Sequence, residues 1–281
     1  MKINWFPGHM TKALRMMQEE VKNIDVIIYV LDARAPKSCF NPSFYSIVEG
    51  KPILFILNKS DLCDEKDIKN WINYFTNKNH SCIALNSTQS GSTKLITDML
   101  RKLCCEKIEK YKSKGLNIRI RSMIIGVPNS GKSTLINNMV GIKKAITGNK
   151  PGVTKGKQLI ALRDGVDLLD TPGTLWPSFE DQNIARNLVF IGSIKDDVVD
   201  INDVGIELVS FLKNNYPNNL MERYKLETLE KENYEILEDI AVQRKFLLKG
   251  NEIDFERTSH SILDDFRKGR LGKIILDKAD V

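Results

Sequence analysis

The chain has 281 residues, 42% hydrophobic and 28% charged, the balance of an ordinary globular protein long enough for one large domain or two smaller ones. Its longest apolar runs, at 26–31 and 53–57, are far too short to cross a bilayer, and residues 1–5 carry no apolar leader core, so neither a membrane span nor a signal or transit peptide is expected. The net charge of +6 is unevenly spread: residues 101–121 hold eight Lys/Arg against two acids, and residues 241–273 hold eight against five. Such stretches suit an anionic macromolecular partner or, equally, a solvated helix face. The five cysteines (Cys39, Cys63, Cys82, Cys104 and Cys105) lack metal or disulfide spacing and fit free thiols in a reducing cytoplasm.

Taken in order, residues 4–10 (Asn-Trp-Phe-Pro-Gly-His-Met) contain a Pro-Gly pair and read as a turn rather than a helix. Thr11 is the expected cap of a helix to about Asn23, with Leu14, Met17 and Val21 at helical spacing. Residues 26–31 form an apolar run ending at Asp32, the pattern of a buried parallel strand. Residues 33–42 carry two prolines and read as a loop, 43–48 as a short helix and 52–57 as the next buried strand. That strand runs into Asn58-Lys59-Ser60-Asp61, an N-K-x-D pattern with the chemistry of guanine recognition. A carboxylate at Asp61 can accept from both guanine N1–H and the N2 amino group, a pair that adenine does not offer. Asn58 would meet the purine's other edge, and the Lys59 stem would lie along the ring.

A polar helix is expected over 65–78, then a strand over 82–85 that ends in Asn86-Ser87, a loop placed to close over the base. From Gly91 a helix carries Leu95, Ile96, Met99, Leu100 and Leu103 on one face. Residues 112–117 are a polar junction into a strand over 118–125. Residues 126–133, Gly-Val-Pro-Asn-Ser-Gly-Lys-Ser, then form a P-loop, G-x-x-x-x-G-K-[ST]. Here Pro128, Asn129, Ser130, Gly131 and Thr134 would line the phosphate site, all but Pro128 offering a main-chain N–H, at the start of a helix over 134–140. Lys132 would reach the β- and γ-phosphates, and the Ser133 hydroxyl would hold Mg²⁺.

Residues 147–157 are rich in Gly and Lys and suit a mobile switch, with Thr154 the candidate second hydroxyl ligand of Mg²⁺. Strands over 157–162 and 166–169 follow, around a turn at Asp164-Gly165. The second ends in Asp170-Thr171-Pro172-Gly173, or D-x-x-G. Asp170 can hold Mg²⁺ through water, and the Gly173 N–H can sense a γ-phosphate. Guanine-reading loops normally follow phosphate-binding loops, whereas here they come first. A circular permutation explains that order without losing a part, the 112–117 junction joining what are elsewhere the two chain ends. The expected fold is α/β: a circularly permuted Ras-like P-loop GTPase domain over 1–177, followed by a small all-helical domain over 178–281.

In that second part, helices are expected over 182–190 and 204–213, a break at Tyr216-Pro217, and a helix over 234–248 stopped by Gly250. Asp254 caps a last helix whose Phe255, Ile262, Leu263 and Phe266 share a face. There is neither a repeat nor a coiled-coil heptad, and a monomer is expected.

Together these residues resemble the circularly permuted GTPases of the RbgA/YlqF group. The resemblance runs through Trp5-Phe-Pro-Gly-His-Met10, Asp32-Ala-Arg-Ala-Pro36, N-K-S-D, the P-loop, Pro151-Gly-Val-Thr154, D-T-P-G and the ending at 265–273. It implies a GTPase acting late in assembly of the large ribosomal subunit. It also implies a helical domain that contacts ribosomal RNA, with Arg267, Lys268, Arg270 and Lys273 offering phosphate contacts. The glutamine that often follows D-x-x-G and orients water is absent. Thr174 stands there, where the family usually has a bulky apolar residue, and the resemblance implies that His9 does this work instead. Asn129 matches an Asn that admits K⁺ in potassium-dependent GTPases. Two readings stay open: a GTP-hydrolysing switch gated by a ribosomal particle, or an RNA-binding assembly factor for which GTP is mainly a structural ligand. A metabolic P-loop ATPase or kinase is disfavoured by Asn58 and Asp61.

Overall fold

The computed structural model describes residues 8–141, 158–162, 165–175 and 179–279, without the side chain of His9. Residues 4–7 of the amino-terminal motif, the expected switch at 147–157 with Pro151 and Thr154, and Asp164 lie outside the described residues. The chain forms two compact units. The second begins at Phe179 and ends at Ile274, and the tail from Ile275 onward belongs to the first unit rather than to the helices that precede it.

In the first unit, α1 (Gly8–Glu20) leads to β1 (Val26–Asp32), and α2 (Pro36–Cys39) and α3 (Pro42–Val48) cross over to β2 (Ile53–Asn58). Next come α4 (Glu65–Asn77), β3 (Ser81–Leu85), α5 (Ser92–Leu103) and α6 (Cys105–Lys112). β4 (Ile120–Ile125), α7 (Lys132–Val140), β5 (Gln158–Ala161) and β6 (Val166–Asp170) complete it. The sheet order is β3-β2-β1-β4-β6-β5, parallel throughout except for the β5–β6 pair. The P-loop strand β4 thus sits mid-sheet although three strands precede it in sequence, as the permuted order requires.

Continuous apolar runs make these strands because both faces of the sheet are covered. Val26, Ile28 and Val30 pack with Ile96 and Leu100 of α5 and Leu135 and Ile136 of α7. On the other face Tyr29 and Phe55 stack with centroids 5.4 Å apart, and Phe55 stacks on Phe75 of α4 at 4.3 Å. Register does the rest: Asp32 lies opposite Asn58, Asn58 opposite Leu85, and Ile124 opposite Asp170. The loops after these strands therefore leave from one edge, where ligands of open α/β sheets bind.

Several elements differ from the sequence expectation. α1 starts at Gly8 rather than after Thr11. Its buried face is Met10, Ala13 and Met17, at i, i+3 and i+7. The Pro-Gly pair does not bar this, because first-turn N–H groups have no intrahelical partner to lose. The expected 33–42 loop contains the one-turn α2, opened by Pro36. α6 was not expected, and Leu95 is half exposed (49%) while Ile96 and Leu100 are buried.

The second unit is helical: α8 (Gln182–Phe190), α9 (Ile201–Asn215), α10 (Pro217–Tyr224), α11 (Asn233–Arg244) and α12 (Phe255–Arg267). Asp181, Asp200 and Asp254 cap α8, α9 and α12, each accepting a main-chain N–H at 2.8–3.0 Å. Pro217 ends one helix by opening the next. α9 packs against α10, α11 and α12, burying Val204, Leu208 and Leu212 with Ile236, Ile240, Ile262 and Phe266.

Candidate functional site

The P-loop closes on itself. Lys132 is buried and donates to the carbonyls of Gly126 and Val127, both at 2.9 Å. Burial pushes its pKa down to about 8, against the pull of Asp170. Asn129 and Gly131 adopt left-handed backbone conformations (φ +59° and +95°), so successive N–H groups turn toward one concavity. Gly131 is required sterically as well, because a Cβ there would overlap the Asn58 amide.

That overlap reflects a tie between the two halves of the site. Asn58 Nδ2 donates to the Ser130 carbonyl at 2.8 Å, and its Oδ1 accepts the Ser87 N–H at 3.0 Å. The asparagine therefore joins three loops, a role that the N-K-x-D pattern alone does not reveal. From α7, Asn138 donates to Ser87 O at 3.0 Å and also to Gln89 O. Asn86 accepts from Thr88 N–H at 2.9 Å in its own turn. Asp61 and Ser60 lie in a short turn after Lys59, and Asp61 is exposed, its carboxylate open to a ligand.

Lys59 has a left-handed backbone (φ +60°) and points back into the protein. Its Nζ lies 2.9 Å from both Asn129 O and Asp32 Oδ2. Asp32 is also gripped by Arg34, whose Nε and Nη2 donate to its two oxygens at 2.9 and 2.8 Å. Burial alone would raise the Asp32 pKa, but the Arg34 and Lys59 charges hold it well below the usual carboxylate range. The Arg34 carbonyl in turn accepts the Leu276 N–H at 2.7 Å. Asp277 accepts from Ser38 N–H and Oγ at 2.6 and 3.1 Å, and its carbonyl accepts from Trp71 Nε1 at 3.0 Å. The sequence gives no sign of this anchored tail.

Beyond β6, Thr171 Oγ1 donates to Ile124 O at 2.6 Å, fixing D-T-P-G to the P-loop strand. A Cβ on Gly173 would come within 2.8 Å of Lys132 Nζ and 2.9 Å of the Pro128 backbone, so only glycine lets this loop lie against the P-loop. Among the described residues both Asp170 oxygens are buried without a hydrogen-bond partner at normal geometry, and burial raises its pKa to about 6 despite Lys132 and the Thr171 N–H nearby. A buried carboxylate beside the P-loop lysine fits Mg²⁺, which takes oxygen donors and keeps several waters; Asp170 and Ser133 would hold it. Thr174 is fully buried, its hydroxyl has no partner among the described residues, and its carbonyl accepts from Asn41 Nδ2 at 3.5 Å. The next N–H, of Leu175, donates to Met10 Sδ at 3.4 Å. The residue adjoining His9 therefore touches the strand that leaves D-T-P-G.

The basic residues of the helical unit are not equivalent. Arg267 is committed to the fold, donating to Asp196 at 2.7 and 2.8 Å and to the Val189 and Phe190 carbonyls at 2.7 and 3.0 Å. Lys268 and Arg270 pair with Asp264 near the surface, and Lys273 is exposed. Sequence reading misses a cluster: Arg223, Arg244 and Arg270 converge on buried Asp265 at 2.9–3.1 Å, and Tyr224 donates to it as well. Three guanidiniums on one carboxylate leave surplus positive charge with fixed geometry.

Comparison with known proteins agrees with this arrangement. Residues 121–245 match a family model described as 50S ribosome-binding GTPase. Ribosome biogenesis GTPase A of Bacillus cereus is 42% identical over 99% of this chain and 94% of its own length. Mitochondrial ribosome-associated GTPase 1 of Ictalurus punctatus is 33% identical, over 98% and 92%. Among solved structures, GNP-bound YlqF of T. maritima superposes with a TM-score of 0.67 at 25% identity, over 96% of this chain and 99% of that one. Its GDP-bound form gives 0.68.

Proposed function

This chain belongs to the Ribosome biogenesis GTPase A family of GTP-binding GTPases, and on that premise we propose that it is a nucleotide-gated factor for the large ribosomal subunit. In this reading it engages a subunit precursor with GTP bound, hydrolyses GTP in response to that particle, and leaves as the GDP form. The observation that carries the switch is the meeting of Gly173, Pro128 and Lys132, which ties the loop after β6 to the phosphate cradle. Phosphates entering the cradle would draw Lys132 from the Gly126 and Val127 carbonyls, and Gly173 would shift with it. Mg²⁺, when bound, neutralises charge on the phosphate oxygens. The particle would be met partly through the helical unit, where Arg223, Arg244, Arg270, Lys268 and Lys273 present phosphate contacts and Arg267 holds the fold. Sedimentation of the full chain with purified large subunits tests this reading. Retention with a non-hydrolysable GTP analogue and release with GDP is expected, whereas equal retention in both states removes the switch.

Guanine selectivity is assigned to Asp61. Asp61→Asn is expected to weaken GTP binding by about 1–3 kcal/mol, the penalty of polar groups left unpaired. It should also improve xanthine nucleotide binding, since an amide donates where the carboxylate accepted. Unchanged GTP affinity, measured by titration calorimetry, removes that assignment. The resemblance also implies a potassium ion at Asn129, and comparing turnover in potassium and in sodium tests it.

A further inference from the structure

A second cavity lies on the other face of the sheet. It measures about 260 Å³ and is lined by rings of Phe40, Tyr45, Phe55, Trp71, Tyr74 and Phe75. It exists because the crossover from β1 to β2 is made by two short helices, α2 and α3, of four and seven residues, against thirteen in α4. Phe55, mid-strand and itself fully buried, lies at its base. The inner rings are locked: Phe55 stacks on Phe75, and Trp71 meets Tyr74 edge-on at 5.1 Å with its N–H tied to Asp277 O. The outer rings are accessible, Tyr45 being 36% exposed. The charged side chains in the lining are Lys37 and Lys78, and no carboxylate is among the lining residues. Lys78 Nζ sits 4.1 Å above the Tyr74 ring. Burial and Lys78 lower the His80 pKa, and this lining imidazole offers a further flat ring.

We propose that this cavity receives one unstacked base of single-stranded RNA, with Lys37 and Lys78 meeting the phosphates that flank it. Aromatic walls with lysines at the mouth are the recurrent chemistry of single-strand recognition, in which bases stack on rings and cations track the backbone. The absence of carboxylates from the lining favours a polyanion over a protein side chain. One stacked base is too little to retain a free nucleotide, and the lining offers a pyrophosphate no P-loop and no helix start beyond that of the one-turn α2, so the ligand is a strand held at other points too. The proposal rests on the reading of this chain as a factor that engages ribosomal RNA.

The test uses the full chain and a fluorescently labelled single-stranded RNA of about ten nucleotides. The Tyr45→Ala/Tyr74→Ala variant is expected to bind it about tenfold more weakly, with unchanged GTP affinity reporting an intact fold. Lys37→Ala/Lys78→Ala, which spares the rings, should reduce the slope of log affinity against log salt by about 1.4. Ultraviolet cross-linking should map to peptides containing Tyr45 or Tyr74. If both variants bind RNA as the wild type does and cross-links fall elsewhere, the pocket assignment is wrong while the ribosomal reading stands. If they keep RNA binding but lose large subunits, the cavity takes a ribosomal protein and the RNA proposal falls. A wild-type chain that binds neither RNA nor subunits sinks both.

Discussion

Urea unfolding of nucleotide-free Arg34→Ala is expected to show a loss of about 3 kcal/mol, the low end of what removing one partner of a buried ion pair does. Asp32 and Arg34 are 0% and 1% exposed, and Arg34 holds both carboxylate oxygens. Taking the guanidinium away leaves a buried charge with Lys59 as its remaining cation, which is why the loss falls short of the full penalty. Lys59 would also be drawn toward Asp32 and away from the Asn129 carbonyl, so GTP affinity should fall with stability. The sign with pH follows from the depressed Asp32 pKa. Its contribution is fully present above the unfolded carboxylate value of about 4 and fades as pH falls below it. The gap between wild type and variant should therefore narrow in acid. Replacing both partners, as Asp32→Leu with Arg34→Met, should recover much of the loss, because apolar substitutes for a buried pair are often neutral. A deficit below about 1 kcal/mol for Arg34→Ala would place the pair among surface-type ion pairs and remove it as a strut of the site.

His9→Ala should lower particle-stimulated GTP hydrolysis by about 10²-fold or more if His9 positions the attacking water. Nucleotide affinity should stay within about threefold. The motivation is positional: Met10, its neighbour, accepts the Leu175 N–H two residues beyond Gly173, so the start of α1 adjoins the loop after β6. Thr174, the rival, has a buried hydroxyl with no partner among the described residues. Thr174→Val keeps its shape and removes that group, and should leave turnover within about threefold. Single-turnover assays of both variants separate the candidates. A large loss in Thr174→Val with normal His9→Ala would reverse the assignment.

Much of this molecule can be read from local pattern. Unbroken apolar runs mark β1 and β2, an apolar-rich stretch marks β4, and N-K-S-D, the P-loop and D-T-P-G mark the loops that follow strands. Their order alone gives the permutation, and the sheet has the strand order that a permutation demands. What local pattern does not carry is long-range pairing. Asp32 and Arg34 read as a polar strand end until the parallel register sets Asp32 opposite Asn58, within reach of Lys59. Asn58 reads as a contact for the purine, yet its amide is turned to Ser130 and Ser87. Residues 274–277, Ile-Ile-Leu-Asp, read only as a chain end, although Leu276 and Asp277 are anchored to Arg34 and Ser38. Arg267 belongs to a basic run in sequence, but its partner Asp196 is 71 residues away. Periodicity reports which face is buried and says nothing about which distant carboxylate waits there.

The central claim is that GTP hydrolysis answers to the ribosomal particle. Single-turnover hydrolysis by the full chain, with and without purified large ribosomal subunits and across a salt series, tests it most directly. Slow hydrolysis by the free protein is expected, with strong stimulation by subunits that fades as salt rises, as contacts to phosphates would require. Replacing exposed Lys268 and Lys273 by Ala is expected to weaken that response while GTP affinity holds. Hydrolysis by the free protein that is as fast as in the presence of subunits, or that stays negligible with them, would contradict it.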